Sequence, residues 1–321
     1  MIVTVTLNPS LDRAVDVERL VRGEVIRAAS AHLDPGGKGV NVSRALLANG
    51  VSAPAVLPCG GDEGAQIMRL LRDEGVDVRS VPIVGRTRSN ITLAEPDGTV
   101  TKINEPGPSL SPAEFELITT RALTAAVDAT WVVICGSVPP GLPVSAFAGL
   151  CRRVVDSGVR LAVDTSGPAL RAAAEAGADL LKPNREELAE AVGRVPATTA
   201  EVVAAARELR ALGAGTVLAS LGADGALLVG ADGVLAGEAD VPVPRSSVGA
   251  GDALLAGFLA AGAAGADAFA EALAWAAAAV SLPGSRMPGP ADLRRDLVRV
   301  HHLPDGVRPP NTPAAAAPDR P

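Results

Sequence analysis

Four short apolar runs, each closed by a polar and mostly glycine-rich end, constrain this chain more than any other feature: "TWVVICGS", "RLAVDTS", "ADLLKPN" and "TVLASLG". Most follow a helical pattern; "VSAFAGLCRRVVDSG" precedes the second run and "AEVVAAARELRALG" the fourth. Strands that alternate with helices fold as a parallel sheet covered on both faces. Such sheets take their ligands at the carboxyl ends of the strands. Here those ends read "CGSVPPG", "DTSGP", "KPNREE" and "SLGADG", which marks one rim as the candidate site. "MIVTVTL" alternates apolar and hydroxyl residues and adds a strand at the start. With 321 residues, 48% of them hydrophobic, the chain can bury a large core. One domain is expected over residues 1–302. Two stretches break the rhythm. Residues 11–33 and 86–104 read as short strands, the second folded at "PDG", and together they make a small sheet that can serve as a lid. Residues 303–321 are rich in Pro and Ala and read as a disordered tail.

Composition removes several function classes. The net charge is −7, so no global positive field draws nucleic acid or an anionic membrane. Aromatic residues make up 2% and tyrosine is absent, which leaves no stacking platform for single strands. Cys59, Cys135 and Cys151 form no close pair and no metal spacing, so a reducing, cytoplasmic setting is expected. The first residues carry no basic stretch or cleavage site, and the Ala-rich runs near the C-terminal third contain Gly, Asp and Glu rather than a membrane span.

Lysine usage narrows the search. Of 29 basic residues only Lys38, Lys102 and Lys182 are lysine. A lysine kept against such an arginine bias serves as a compact point charge rather than a planar fork. They fall in "DPGGKGVNVSRAL", "TKINEPGP" and "LLKPNREEL", and Asn8, Asn41, Asn90, Asn104 and Asn184 cluster in the same kind of segment.

Each segment has a functional and a plain reading. In "SSVGAGDALLAGF", Gly249 and Gly251 precede a helical run that begins near Asp252. A glycine turn entering a helix aims free N–H groups at one point, and the helix dipole adds positive potential there. Asp252 is then either an N-cap or a general base beside an anion hole, the pairing that phosphoryl transfer uses. "PGGKGVNVSRALLANG" repeats the design, with Lys38 and Asn41 near the helix start. It is a tight turn with a solvated lysine, or a site for sugar hydroxyls and phosphate. Asp12 in "LNPSLDR" can accept from sugar hydroxyls, or close an Asx turn. Lys182 can meet phosphates. Asn184 and Glu187, three apart on one helix face, can order the waters of Mg²⁺, or form a cap and an acidic first turn. Ser220, Gly222 and Gly225 in "SLGADG" can face a nucleotide, or turn a hairpin. Cys135 reads as a small buried hydrophobe. Among familiar motifs, G-x-x-x-x-G-K-[ST] fails because Gly39 follows Lys38, and G-x-G-x-x-G and G-x-S-x-G are absent. His32, His301 and His302 do not suit a histidine-based triad.

Taken in order, "GGKG" near the start, "KPNREE" in the middle and "VGAGDALLAGF" late resemble the ribokinase-like carbohydrate kinases of the PfkB family, over the chain up to its Pro/Ala-rich tail. The resemblance implies an α/β fold: an αβα sandwich with a mainly parallel sheet and a small β-sheet lid that often forms a homodimer contact. It implies ATP as co-substrate and Mg²⁺ as metal. Carried over, it makes Asp252 the base and the amides of Gly249, Ala250 and Gly251 the anion hole. Asp12, Gly37, Lys38 and Asn41 then hold the sugar, and Arg88, Asn90 and Lys102 approach the substrate phosphate from the lid. Lys182, Asn184, Ser220, Gly222, Gly225, Ser247 and Val248 face the nucleotide, and Asn184 and Glu187 hold Mg²⁺ through water. Ala253 departs from the serine many members have there. "TLNPSLDR", "TRSNITL", "INEPGP" and "GSVPPG" look most like members that act on phosphorylated ketohexoses. The expected reaction is therefore ATP-dependent conversion of fructose 1-phosphate to fructose 1,6-bisphosphate. Tagatose 6-phosphate and fructose 6-phosphate stay open as substrates, as does a non-catalytic regulator that binds sugar phosphate or nucleotide.

Overall fold

The computed structural model describes residues 1–304. The chain starts as β1 (Ile2–Thr6), leaves for β2 (Ser10–Val17) and β3 (Ala28–Gly36), and returns through α1 (Lys38–Ala48) to β4 (Ala55–Cys59), α2 (Gly61–Asp73) and β5 (Val78–Pro82). A second excursion makes β6 (Arg88–Ala94) and β7 (Val100–Asn104), and α3 (Pro112–Ala125) leads back. Strands and helices then alternate as β8 (Trp131–Cys135), α4 (Val144–Asp156), β9 (Arg160–Asp164), α5 (Pro168–Glu175), β10 (Leu180–Leu181), α6 (Arg185–Val192), α7 (Thr199–Ala211) and β11 (Thr216–Ser220). The chain closes with β12 (Ala226–Gly230), β13 (Gly233–Ala239), α8 (Ala250–Ala260), α9 (Gly265–Ser281) and β14 (Val298–Leu303).

Ten strands form one sheet in the order β14-β13-β12-β11-β10-β9-β8-β1-β4-β5. From β5 to β11 every pairing is parallel, as strand–helix alternation requires. The remaining edge, β11 to β14, is antiparallel. Side chains leave each strand alternately to two cores. Val3, Val5, Val132 and Ile134 pack with Ile118 of α3, Phe147 of α4, Leu170 of α5 and Leu209 of α7. Ile2, Trp131, Val133 and Cys135 pack with Leu46 of α1, Phe258 of α8 and Phe269 of α9. Helices therefore cover both faces, giving three layers. With so few aromatics, alanine and glycine let helices close tightly. A Cβ on Gly257 would meet Trp275 Cγ at 2.8 Å, so glycine is what allows α8 and α9 their contact.

The second sheet has the order β3-β2-β6-β7. Its strands come from the two stretches that broke the α/β rhythm, although β3 extends through Asp34–Gly36, residues that read as part of the glycine loop. Four short connections join the sheets: residues 7–9, Gly37, 83–87 and 105–111. Registers Asp12↔Asp34, Asp12↔Asn90, Asn90↔Asn104 and Thr92↔Lys102 put a polar set on one face. The alternate residues, Val15, Ile91, Leu93 and Ile103, line the other face. Ile91 and Ile103 there are 36% and 55% exposed. β14 runs to Leu303, one residue past the expected boundary. The rest of the expected tail, 305–321, lies outside the described residues.

Candidate active site

The site is built at the carboxyl rim of the parallel strands, where α1, α6 and α8 begin. Gly249 is the N-cap of α8 and takes a left-handed φ of 77°. A Cβ there would also meet Met287 Cε at 2.7 Å. Asp252 lies inside the first turn, not at the cap, so the plain capping role does not apply. The residue is 7% exposed, and its carboxylate accepts from Asn41 Nδ2 at 2.9 Å. Burial raises its pKa to about 6, with the charge of Asp164 adding to the rise; the Asn41 hydrogen bond and then Lys182 and Lys38 oppose it. A carboxylate so tuned is ionised at neutral pH and still basic enough to take a proton. Among the proposed anion-hole amides, that of Ala250 makes a long bond to the Ser247 carbonyl, 3.4 Å. The amides of Gly251 and Asp252 have no helical partner four residues back, as at any helix start. Lys182 Nζ lies beside this mouth: a Cβ on Gly251 would be 3.3 Å from it.

Asp164, the last residue of β9, is the hub that the motif analysis missed. It is fully buried, with Lys38 Nζ 2.7 Å from Oδ1 and Lys182 Nζ 2.9 Å from Oδ2. The second contact is an ion pair off the hydrogen-bonding direction, since Oδ2 makes no aligned hydrogen bond. Lys38 Nζ also bonds Glu187 Oε1 at 2.8 Å. The motif reading put Lys38 on the sugar; in the structure its ammonium sits on carboxylates of β9 and α6. Asn184 is the N-cap of α6 and forms a capping box with Glu187, each accepting the other's backbone N–H at 2.8 Å. The cap reading thus holds for Asn184, while Glu187 is buried and Glu186 exposed. The signal for Asp164 was present: a carboxylate ends a buried strand at the ligand rim.

A second polar group sits on the inner face of the small sheet. Asp12 Oδ1 accepts from Ser10 Oγ at 2.6 Å and Asn90 Nδ2 at 2.9 Å. Burial raises the Asp12 pKa, against these hydrogen bonds and the charge of Arg88. Gly36 lies against this carboxylate; a Cβ there would meet Asp12 Oδ2 at 2.3 Å. Gly37, with φ 117°, turns the chain into α1. Arg88 donates to the carbonyls of Asn8 and Glu105, both at 3.0 Å, and so ties two of the connections between the sheets. Asn8 Nδ2 reaches Pro106 O and Ser137 Oγ, adding a second tie that the motifs did not single out as functional. Asn41 Oδ1, Asn90 Oδ1 and Arg88 Nε are buried without hydrogen-bond partners. Buried polar atoms are normally paired, so these three suit a polar ligand.

The remaining candidates are spread around these groups. Lys102 is exposed on β7, on the face that carries Asn90 and Asp12. Ser220 ends β11 and bridges to Asn184. Gly222 and Gly225 turn the β11–β12 hairpin, and Gly225 is required by packing, since a Cβ would meet Gly237 O at 2.2 Å. Ser247 is exposed, and the Val248 N–H donates to Ser246 Oγ at 3.1 Å. A cavity of about 660 Å³ opens nearby, lined by His32, Asp34, Arg44, Glu74 and Met287 among others; neither Asp12 nor Asp252 lines it.

A three-layer α/β fold with a buried carboxylate at a helix mouth, ammonium groups beside it and a separate polar face on the small sheet fits a phosphotransferase that acts on an alcohol, a sugar kinase. The chain belongs to the pfkB family of carbohydrate kinases, whose family model matches residues 5–291, and its fold is ribokinase-like. It is 38% identical to a 1-phosphofructokinase from Rhodobacter capsulatus over 91% of this chain and 94% of that one. It is also 38% identical to the ATP-dependent 6-phosphofructokinase isozyme 2 of Mycobacterium tuberculosis, over 79% and 76%. The crystal structure of phosphofructokinase-2 from Escherichia coli in complex with potassium superposes with a TM-score of 0.86, at 33% identity, covering 91% of this chain and 96% of that one. Among the described residues no helix is long and apolar enough to cross a membrane.

Proposed function

We propose that this kinase transfers the γ-phosphoryl group of ATP to the 6-hydroxyl of fructose 1-phosphate, giving fructose 1,6-bisphosphate. The observation that carries the reading is the buried Asp252 carboxylate at the mouth of α8, held by Asn41 from the sugar-side helix, in a chain similar to a 1-phosphofructokinase over nearly its full length. Asp252 takes the hydroxyl proton as the oxygen attacks in line. The first-turn amides of α8 and the Lys182 ammonium meet the charge on the moving phosphoryl group. Asp12, Gly37, Asn41 and Asn90 hold the sugar, and Arg88 with Lys102 draws its phosphate to the lid side. Ser220, Gly222, Gly225, Ser247 and Val248 line the nucleotide's path. Closure of the small sheet excludes water and limits hydrolysis of ATP.

Asp164, Asn184 and Glu187 offer the hard oxygens that suit Mg²⁺. Among the described residues no cluster of three or more His, Cys, Asp or Glu holds a metal by itself. In phosphate sites Mg²⁺ keeps several waters and takes its other ligands from the phosphates. Bound there, Mg²⁺ would neutralise phosphate charge. The exposed apolar outer face of the small sheet, with Ile91 and Ile103, supports pairing with a second copy of this chain.

The test is product identification by ³¹P NMR after incubation with ATP, Mg²⁺ and fructose 1-phosphate. A sugar bisphosphate with a new 6-phosphate resonance is expected; ADP release without a sugar bisphosphate would overturn the reading. A 6-phosphofructokinase is the second reading, favoured by the similarity to the Mycobacterium tuberculosis isozyme.

A further inference from the structure

Lys38 is the first residue of α1, directly after the Gly37 cap. Its backbone belongs to the sugar-side loop, but its ammonium lies between two carboxylates on the opposite side of the site, Asp164 and Glu187. Each carboxylate already has another partner. Lys182 lies on the second oxygen of Asp164, and the Asn184 N–H occupies the second oxygen of Glu187. Lys38 is thus what joins the two acids to each other.

Asp164, Glu187 and the neighbouring Asp252 carboxylate face two ammonium groups, Lys38 and Lys182. Lys38 covers Oδ1 of Asp164 and Oε1 of Glu187, so a divalent ion brought against those oxygens meets its ammonium at close range, where like charges in a mostly buried place repel. Of the two ammonium groups, Lys38 is the one placed to move. Lys182 is 3% exposed and enclosed, whereas the Lys38 side chain is 35% exposed on a flexible four-carbon stem.

We propose that Lys38 is an internal counter-cation: it bridges Asp164 and Glu187 in the metal-free enzyme and yields them when Mg²⁺–nucleotide binds. This rests on the Mg²⁺ reading above. Once released, the ammonium stays tethered beside Gly37 and turns to the phosphates. Metal–nucleotide loading is thereby felt in the loop that lines the sugar. The coupling is reciprocal, so a sugar phosphate that draws Lys38 away also tightens metal–nucleotide binding.

Three lysines in the whole chain make the step observable. In ¹⁵N-lysine-labelled enzyme, buried ion-paired ammonium groups exchange slowly enough to be seen. The Lys38 signal, assigned by its loss in Lys38→Met, should be present in the metal-free enzyme and with ADP plus EDTA, and should move or vanish with Mg²⁺–ADP. An unchanged signal in all three states overturns the proposal. A second measurement uses Mn²⁺ alone, read from the electron paramagnetic resonance of the free ion. Lys38→Met should bind Mn²⁺ about tenfold more tightly than the wild type; equal, weaker or undetectable binding overturns the proposal. Glu187→Gln separates the two levels. If it leaves Mn²⁺–ADP binding unchanged, the metal reading fails and this proposal with it. If it weakens that binding while Lys38→Met gains nothing, only the role of Lys38 fails.

Discussion

At the residue scale the proposed reaction turns on one proton acceptor, Asp252. Asp252→Asn keeps the shape and the Asn41 contact but cannot accept the proton, so kcat should fall by at least ~10²-fold. The fold should not suffer. An aspartate whose folded pKa, about 6, lies above its ordinary value of 3.8 favours the folded state most at pH below that ordinary value, and this contribution is lost as pH rises through about 6. At pH 8 the buried charge is a burden, so the thermal midpoint of Asp252→Asn should equal or exceed that of the wild type. A pH series checks the same group. kcat/KM should rise with pH through a limb near 6, because only the ionised form acts as base. In Asn41→Leu the hydrogen bond that opposes the rise is gone, so the limb should move to higher pH. A limb that stays put would separate Asn41 from the base.

At the scale of elements, the sugar side depends on how closely β3 passes β2. The Gly36 Cα lies against the Asp12 carboxylate, and an added Cβ would fall 2.3 Å from Oδ2. Gly36→Ala should displace the carboxylate and raise KM for the sugar by about tenfold or more, with KM for ATP little changed, as expected when a positioning contact shifts by a fraction of an ångström. The outer face of the same sheet makes a separate prediction. If that face pairs two copies, the wild type should sediment as a dimer and Ile103→Glu as a monomer, because the substitution places a charge on the apolar face at its β7 edge. The small sheet also shows what could be read beforehand. "PDG" between β-formers located the β6–β7 hairpin. The extension of β3 through Asp34–Gly36 was hidden, because a glycine run reads as loop whether or not it pairs, and only the register with Ser10–Asp12 decides it. The β12–β13 hairpin turns locally at Ala231-Asp232, whereas the pairing of β13 with the distant β14 is set by sheet order rather than by local pattern.

At the scale of the molecule, strand–helix alternation foretold the parallel sheet, since that follows from local periodicity. The motifs at its carboxyl rim also located Asp252, Lys182 and Asn184. What they did not reveal is Asp164, which joins Lys38 and Lys182, residues distant from it and from each other in the chain. No spacing rule reaches contacts of that kind; only the strand order that sets β9 beside β8 and β10 does. The same limit applies to the choice of sugar, because relatives named 1-phosphofructokinase and 6-phosphofructokinase both match this chain at 38% identity, over 91% and 79% of it. The central claim is therefore tested most directly by kcat/KM measured side by side for fructose 1-phosphate, fructose 6-phosphate and tagatose 6-phosphate with ATP and Mg²⁺. Fructose 1-phosphate should lead by at least about tenfold, a margin that polar contacts to a correctly placed phosphate readily supply. Equal or higher kcat/KM for either 6-phosphate would contradict the account.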